Sequence, residues 1–62
     1  MTGAHKRIMS LVRKSEGMTR QELANKLQFG YNKDSVNSAI DSLIESGKVI
    51  EDGKYIIAAE HT

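Results

Sequence analysis

The stretch that most constrains this chain runs from Thr19 to Gly47, TRQELANKLQFGYNKDSVNSAIDSLIESG. Its apolar residues recur at helical spacing in two blocks, separated by a turn that contains a glycine. The first block opens on a capping box: Thr19 is followed three residues later by Glu22. The threonine hydroxyl can accept from the third helical amide while the carboxylate reaches back to the cap amide. Met18 and Leu23 have the spacing of a hydrophobic staple across that cap, and Leu23, Ala24 and Leu27 then face inward. This predicts a helix over about 19–28. In the second block Val36, Ala39, Ile40, Leu43 and Ile44 form a wide apolar stripe. That helix is expected over about 34–46, with Asp34 as N-cap, Asn32 as the alternative cap, and Gly47 as the stop. Between the two, Gly30 supplies a permissive backbone and Phe29 is expected to pack beneath the turn. Tyr31 is placed either to cover the core or to stand out as a contact residue.

The flanks complete a small mixed fold. Upstream, Ala4, Ile8, Leu11 and Val12 share one side at helical spacing, with Met9 on the flank, predicting a helix over about 3–15. Thr2 is the expected N-cap and Gly17 the left-handed residue that closes the helix. Lys6, Ser10, Arg13 and Lys14 fall on the other side, with Arg7 at its edge: this is read first as a solvated face, with a phosphate-contacting role for part of it as the alternative. Downstream, KVIEDGKYIIA reads as a β-hairpin over about 48–58 turning at Asp52-Gly53, with Glu51 and Lys54 expected as a cross-strand ion pair.

Sixty-two residues are expected to form a single domain, 1–62, with one modest core. There is no cysteine, and the two histidines, His5 and His61, are far apart in sequence, so neither a disulfide framework nor a metal site is expected. No apolar run is long enough to span a bilayer and no secretory leader is visible, which fits a cytoplasmic protein with no membrane partner. The net charge of +1 is unevenly spread. Residues 1–20 carry Lys6, Arg7, Arg13, Lys14 and Arg20 against Glu16, a net of +4, and the remainder carries −3. An enzyme is not expected. A chain of this size has little room for a deep cleft, which typically needs ~300 Å³. No nucleophile and base are convincingly arranged, and the glycines are turn and cap residues rather than a phosphate loop. No cofactor is implied.

Three helices followed by a hairpin, with LANKL in the second helix and SVNSAIDSLIESGKVI running into the hairpin, resemble the winged helix-turn-helix superfamily from about Ala4 to Ala58. The implied fold class is mainly α with a small β-hairpin. Ala24 takes the place of the small residue at which the second helix crosses the third. The resemblance implies a small DNA-binding protein, a transcriptional or phage/mobile-element regulator with its third helix in the major groove of double-stranded DNA. Carried over residue by residue, Thr19, Arg20 and Gln21 would meet the phosphate backbone at the start of the second helix. Asn32, Lys33, Ser35, Asn37 and Ser38 would approach the groove. Asn37 is the side chain there able to contact adenine through both amide atoms. Lys54, near the wing tip, would reach a flanking phosphate. A monomer this small would bind modestly, so a homodimer or a second DNA-binding partner is expected to complete a specific site.

The outer side of the third helix motivates an alternative. It holds Asp34, Ser38, Asp41, Ser42 and Glu45, three carboxylates and no cation. Phosphates repel carboxylates, and duplex affinity depends on neutralising phosphates with Lys and Arg. In the alternative reading the chain is a winged-helix module that binds another protein, through this acidic face or through the Phe29–Tyr31 turn.

Overall fold

A computed structural model describes residues 3–27 and 30–59. The elements, in order, are α1 (Gly3–Ser15), β1 (Met18–Thr19), α2 (Arg20–Lys26), α3 (Lys33–Glu45), β2 (Val49–Asp52) and β3 (Tyr55–Ala58). The strands form one antiparallel sheet in the order β1-β3-β2. Ile8, Val12, Leu23, Leu27, Val36, Ile40, Leu43, Val49 and Ile56 are almost wholly withdrawn from solvent, so every element except the two-residue β1 places a side chain at the centre of the core. Met18 brings β1 into the same cluster. Within α1, Met9 is buried and Leu11 only half so, which places Met9 within the inward stripe rather than at its flank.

Helix termini follow the local chemistry, with three corrections. The capping box is present: Glu22 N donates to Thr19 Oγ1 at 3.1 Å and Thr19 N donates to Glu22 Oε1 at 3.0 Å. The helix it opens stops at Lys26, with Leu27 as C-cap donating to Leu23 O, two residues earlier than the spacing predicts. The cap of α3 is Asn32, not Asp34. Its Oδ1 accepts from Ser35 N at 2.7 Å, so Asp34 becomes a first-turn carboxylate, where the positive end of the helix dipole favours it. The far end of α3 closes in a Schellman arrangement. Gly47 N donates to Ile44 O, Lys48 N donates to Leu43 O, and Gly47 has a φ of 81°. At the end of α1 the left-handed residue is Glu16, with a φ of 65°, rather than Gly17. Gly17 serves another need. It lies so close to β3 that a Cβ there would sit 2.9 Å from Ile57 Cγ2. The expected Thr2 cap and Phe29 packing lie outside the described residues.

The hairpin departs from expectation in its register. Asp52 pairs with Tyr55, Glu51 with Ile56, Ile50 with Ile57 and Val49 with Ala58. The turn is therefore Gly53-Lys54, and Glu51 does not face Lys54. A turn at Asp52-Gly53 would require positive φ at both central residues. The observed one places only Gly53 there, at 64°, the signature of a type II′ turn with glycine first. Glycine adopts that conformation freely and aspartate does not. Because pairing moves by two residues, each strand keeps its inward and outward faces. The third strand was not visible in the sequence pattern, since two residues are too few to show alternation. Thr19 accordingly has two roles, cap of α2 and ladder partner of Tyr55.

Gly17→Ala is expected to cost ~1–3 kcal/mol, from a strained φ of 132° and the displaced Ile57 methyl. Gly47→Ala, where nothing lies within 4 Å of the added carbon, should cost less. Urea denaturation of both variants would test the difference, and equal losses would mean that the Gly17–β3 approach is unimportant.

Candidate nucleic-acid interface

Arg20 is the first residue of α2, held at the junction of α2, α3 and the hairpin because its neighbour Thr19 is at once strand and cap. Its guanidinium reaches three partners. Nε donates to Glu51 Oε2 at 2.9 Å and Nη2 to Glu51 Oε1 at 3.3 Å, a two-pronged contact with β2. Nη2 also donates to Asp41 Oδ1 at 2.8 Å, and Nη1 donates to Asn37 Oδ1 at 3.3 Å. Asn37 and Asp41 are one turn apart on α3, so one arginine spans both. The contact ties α3 to the hairpin through a side chain of α2.

The electrostatics follow from that geometry. Hydrogen bonds from Arg20 hold the Glu51 carboxyl below the usual carboxylate range, and the two carboxylates raise the arginine's own proton affinity. Asp41 is largely exposed and Glu51 partly so, which leaves both pairs well hydrated and modest in strength. One cation facing two anions leaves the cluster with a net negative charge.

The other expected contact residues fall around this cluster. Gln21, Lys33, Ser35 and Ser38 are exposed, and Asn32 is exposed while its Oδ1 caps α3. Gln21, Asn32 and Lys33 share with Ala24, Asn25 and Tyr31 a depression of about 360 Å³ between α2 and α3. Ser35 and Ser38 lie along the opposite flank of α3. There they line an open groove of about 490 Å³ with Ala4, His5, Tyr31 and Ser42, larger than a chain this short was expected to leave. Tyr31 is half-buried against the core between the two depressions. Lys54 occupies the hairpin turn, its Nζ 5.4 Å from the centre of the Tyr55 ring.

The expected set is thus split. Lys33, Ser35 and Ser38 stand outward on the first half of α3, with Lys54 at the hairpin tip. Arg20 and Asn37 are engaged within the molecule. Contact of both Asn37 amide atoms with a base would have to share its Oδ1 with the bond from Arg20. Asp41 and Glu51, the partners that complete the cluster, were not among the expected DNA-contact residues, although Asp41 belongs to the acidic face of the alternative reading. Asp41 had a signal, its i,i+4 spacing from Asn37. Glu51 had none without the hairpin register.

Comparison with known families agrees with this architecture. The family described as elongation factor SelB, winged helix, matches residues 14–56, more than half of the chain. The chain belongs to that winged helix family. The match begins near the end of α1 and runs through β1, α2, α3 and β2 to the centre of β3. No curated protein and no solved structure gives a significant match. Among the described residues no helix is long and apolar enough to cross a membrane.

Glu51 contributes stability through its lowered pKa. A carboxylate depressed by folding stabilises above its unfolded pKa of ~4.3, and that contribution is lost as pH falls through the folded value. Glu51→Gln should therefore lower the thermal midpoint at pH 7 and cause a smaller loss at an acid pH well below ~4.3, where the carboxylate's contribution is being lost. An equal loss at both pH values would show that the Arg20 contact acts through packing rather than charge.

Proposed function

We propose that this winged helix is a small, non-enzymatic binding module for double-stranded DNA, with the first half of α3 turned to the major groove and the hairpin tip to an adjacent phosphate. The observation that carries the reading is the Arg20 contact. It joins α3, which begins at Lys33, to β2, which leads into the hairpin turn that carries Lys54. Ser35 and Ser38, exposed on the other flank of the first half of α3, are small polar side chains able to approach base edges. The same contact offsets part of the negative charge of Asp41 and Glu51. Affinity is expected to be in the non-specific range, ~10⁻⁴–10⁻⁶ M at physiological salt, because few cations face the duplex. A dimer or a second DNA-binding partner would raise it.

An RNA duplex is the informative comparison, since the family takes its description from an elongation factor. The A-form major groove is too deep and narrow for a side chain on α3 to read. Fluorescence anisotropy with a DNA duplex and an RNA hairpin over a range of salt should give tighter DNA binding that weakens as salt rises. Lys33→Glu with Lys54→Glu should reduce DNA affinity at least tenfold. Equal binding by that variant would refute the groove reading, and preference for the RNA hairpin would redirect it.

The bracing contact makes a second outcome specific. Asp41→Asn with Glu51→Gln removes two negative charges and releases Arg20 toward phosphate. DNA binding should strengthen severalfold, with a salt slope steeper by about 0.9 for the one added contact, while the thermal midpoint falls. Weaker binding would mean that bracing matters more than charge.

A protein partner is the second reading, favoured by one observation. Ile50 and Tyr55 are 47% and 46% exposed on the outward face of the hairpin, where Ile57 lies beside them. Ile50→Ser with Tyr55→Ser should leave DNA binding unchanged under the leading reading. In a pull-down, loss of one recovered protein with those substitutions would support the second.

A further inference from the structure

We infer that the outward side of α1 is a second phosphate-binding surface, separate from α3, that takes the backbone of another nucleic-acid segment. The inference rests on the reading of the chain as a nucleic-acid binder and adds a second site to it. Lys6, Arg7, Arg13 and Lys14 are all exposed, and no carboxylate occurs anywhere in α1. Among the described residues Lys6, Arg7 and Lys14 form no ion pair. Seven residues separate Lys6 from Arg13 and Arg7 from Lys14. At 3.6 residues per turn each pair lines up along the helix, giving two rows of cations ~10 Å long with Ser10 between them.

Helix stability does not account for this pattern. Arg13 and Lys14 sit in the last turn, where the helix dipole favours cations, but Lys6 and Arg7 lie in the first half of α1, toward its positive end. No acidic residue in the first turn offsets them. Lys6, Arg7 and Lys14, which form no ion pair among the described residues, repel one another unless an anion lies across them. Burial argues against a membrane as that anion. Ala4, Ile8, Met9 and Val12 are committed to the core, so α1 has no free apolar face to insert between lipids.

The surface cannot simply extend the α3 site. α3 packs against the buried side of α1, so the basic side looks away from it. Phosphates held along the basic side of α1 are therefore not those that face the outward side of α3, and the chain can hold two duplex segments at once.

A bridging assay with the full chain tests this: a bead-bound DNA duplex, a second fluorescent duplex in solution, and single-duplex affinity measured in parallel. Wild-type protein should bring the fluorescent duplex to the bead. Lys6→Glu/Arg7→Glu/Lys14→Glu should reduce that capture at least tenfold, and by a larger factor than it reduces single-duplex affinity, because the α3 side still holds one duplex. The neutral variant Lys6→Gln/Arg7→Gln/Lys14→Gln should lie between them, and circular dichroism of both confirms that they fold. Undiminished capture by the reversed variant would overturn the inference, since bridging would then come from dimers. So would loss confined to poly-glutamate or anionic-vesicle binding. If Lys33→Glu/Lys54→Glu binds a single duplex normally and the α1 variant does not, the groove reading fails while the α1 surface stands.

Discussion

A chain of 62 residues has so little interior that its elements must bury their apolar faces against the same few side chains, and Ile56 is where they meet. It lies on the central strand β3, between β1 and β2, with α1 also packed against that strand, and it is fully withdrawn from water. The two-residue β1 exists because Met18 pairs with Ile56 and joins the same core. That pairing sets where Thr19 stands, and Thr19 sets where α2 begins. The position of Arg20, and with it the contact between α3 and the hairpin, descends from the packing of one strand.

Features governed by neighbours in sequence were legible. The capping box, the Gly47 stop and the inward stripes of α2 and α3 depend on spacings of three to eight residues, and each is present where the residues put it. Features governed by competition between two acceptable local solutions were not. Asn32 and Asp34 are both good caps, and the choice of Asn32 adds a residue to the start of α3. Asp52-Gly53 and Gly53-Lys54 are both acceptable turns. The second wins by requiring positive φ only at the glycine, while it sets Ile50 opposite Ile57. At the end of α1, the close approach of Gly17 to Ile57 occupied the glycine, and the left-handed position passed to Glu16.

The candidate site was harder to read than the fold because its defining contact joins residues 17, 21 and 31 positions apart. In the sequence, Arg20 looks like a cation available to phosphate, and Asp41 and Glu51 look like carboxylates that oppose one. Folding sets them against each other, and both impressions weaken together. The family match supports the architecture in which this happens, yet a winged helix can carry different partners on different faces, so the arrangement of charges has to decide.

That arrangement divides the molecule in an unusual way. In a groove-reading helix the cations belong on the helix that enters the groove, since each phosphate neutralised releases a counterion. Here α3 carries one cation, Lys33, at its first position, and α1 carries four. The core explains why the two cannot be exchanged. α1 and α3 each commit an apolar side to the same interior and are packed on one another, so their outward sides diverge. Charge gathered on α1 lies on a side of the molecule that α3 does not share. If the basic side of α1 were only a solubilising surface, a mixture of signs would serve as well and would repel less. A single-signed helix face, with cations even at the end where its dipole disfavours them, is better matched to a polyanion lying along it.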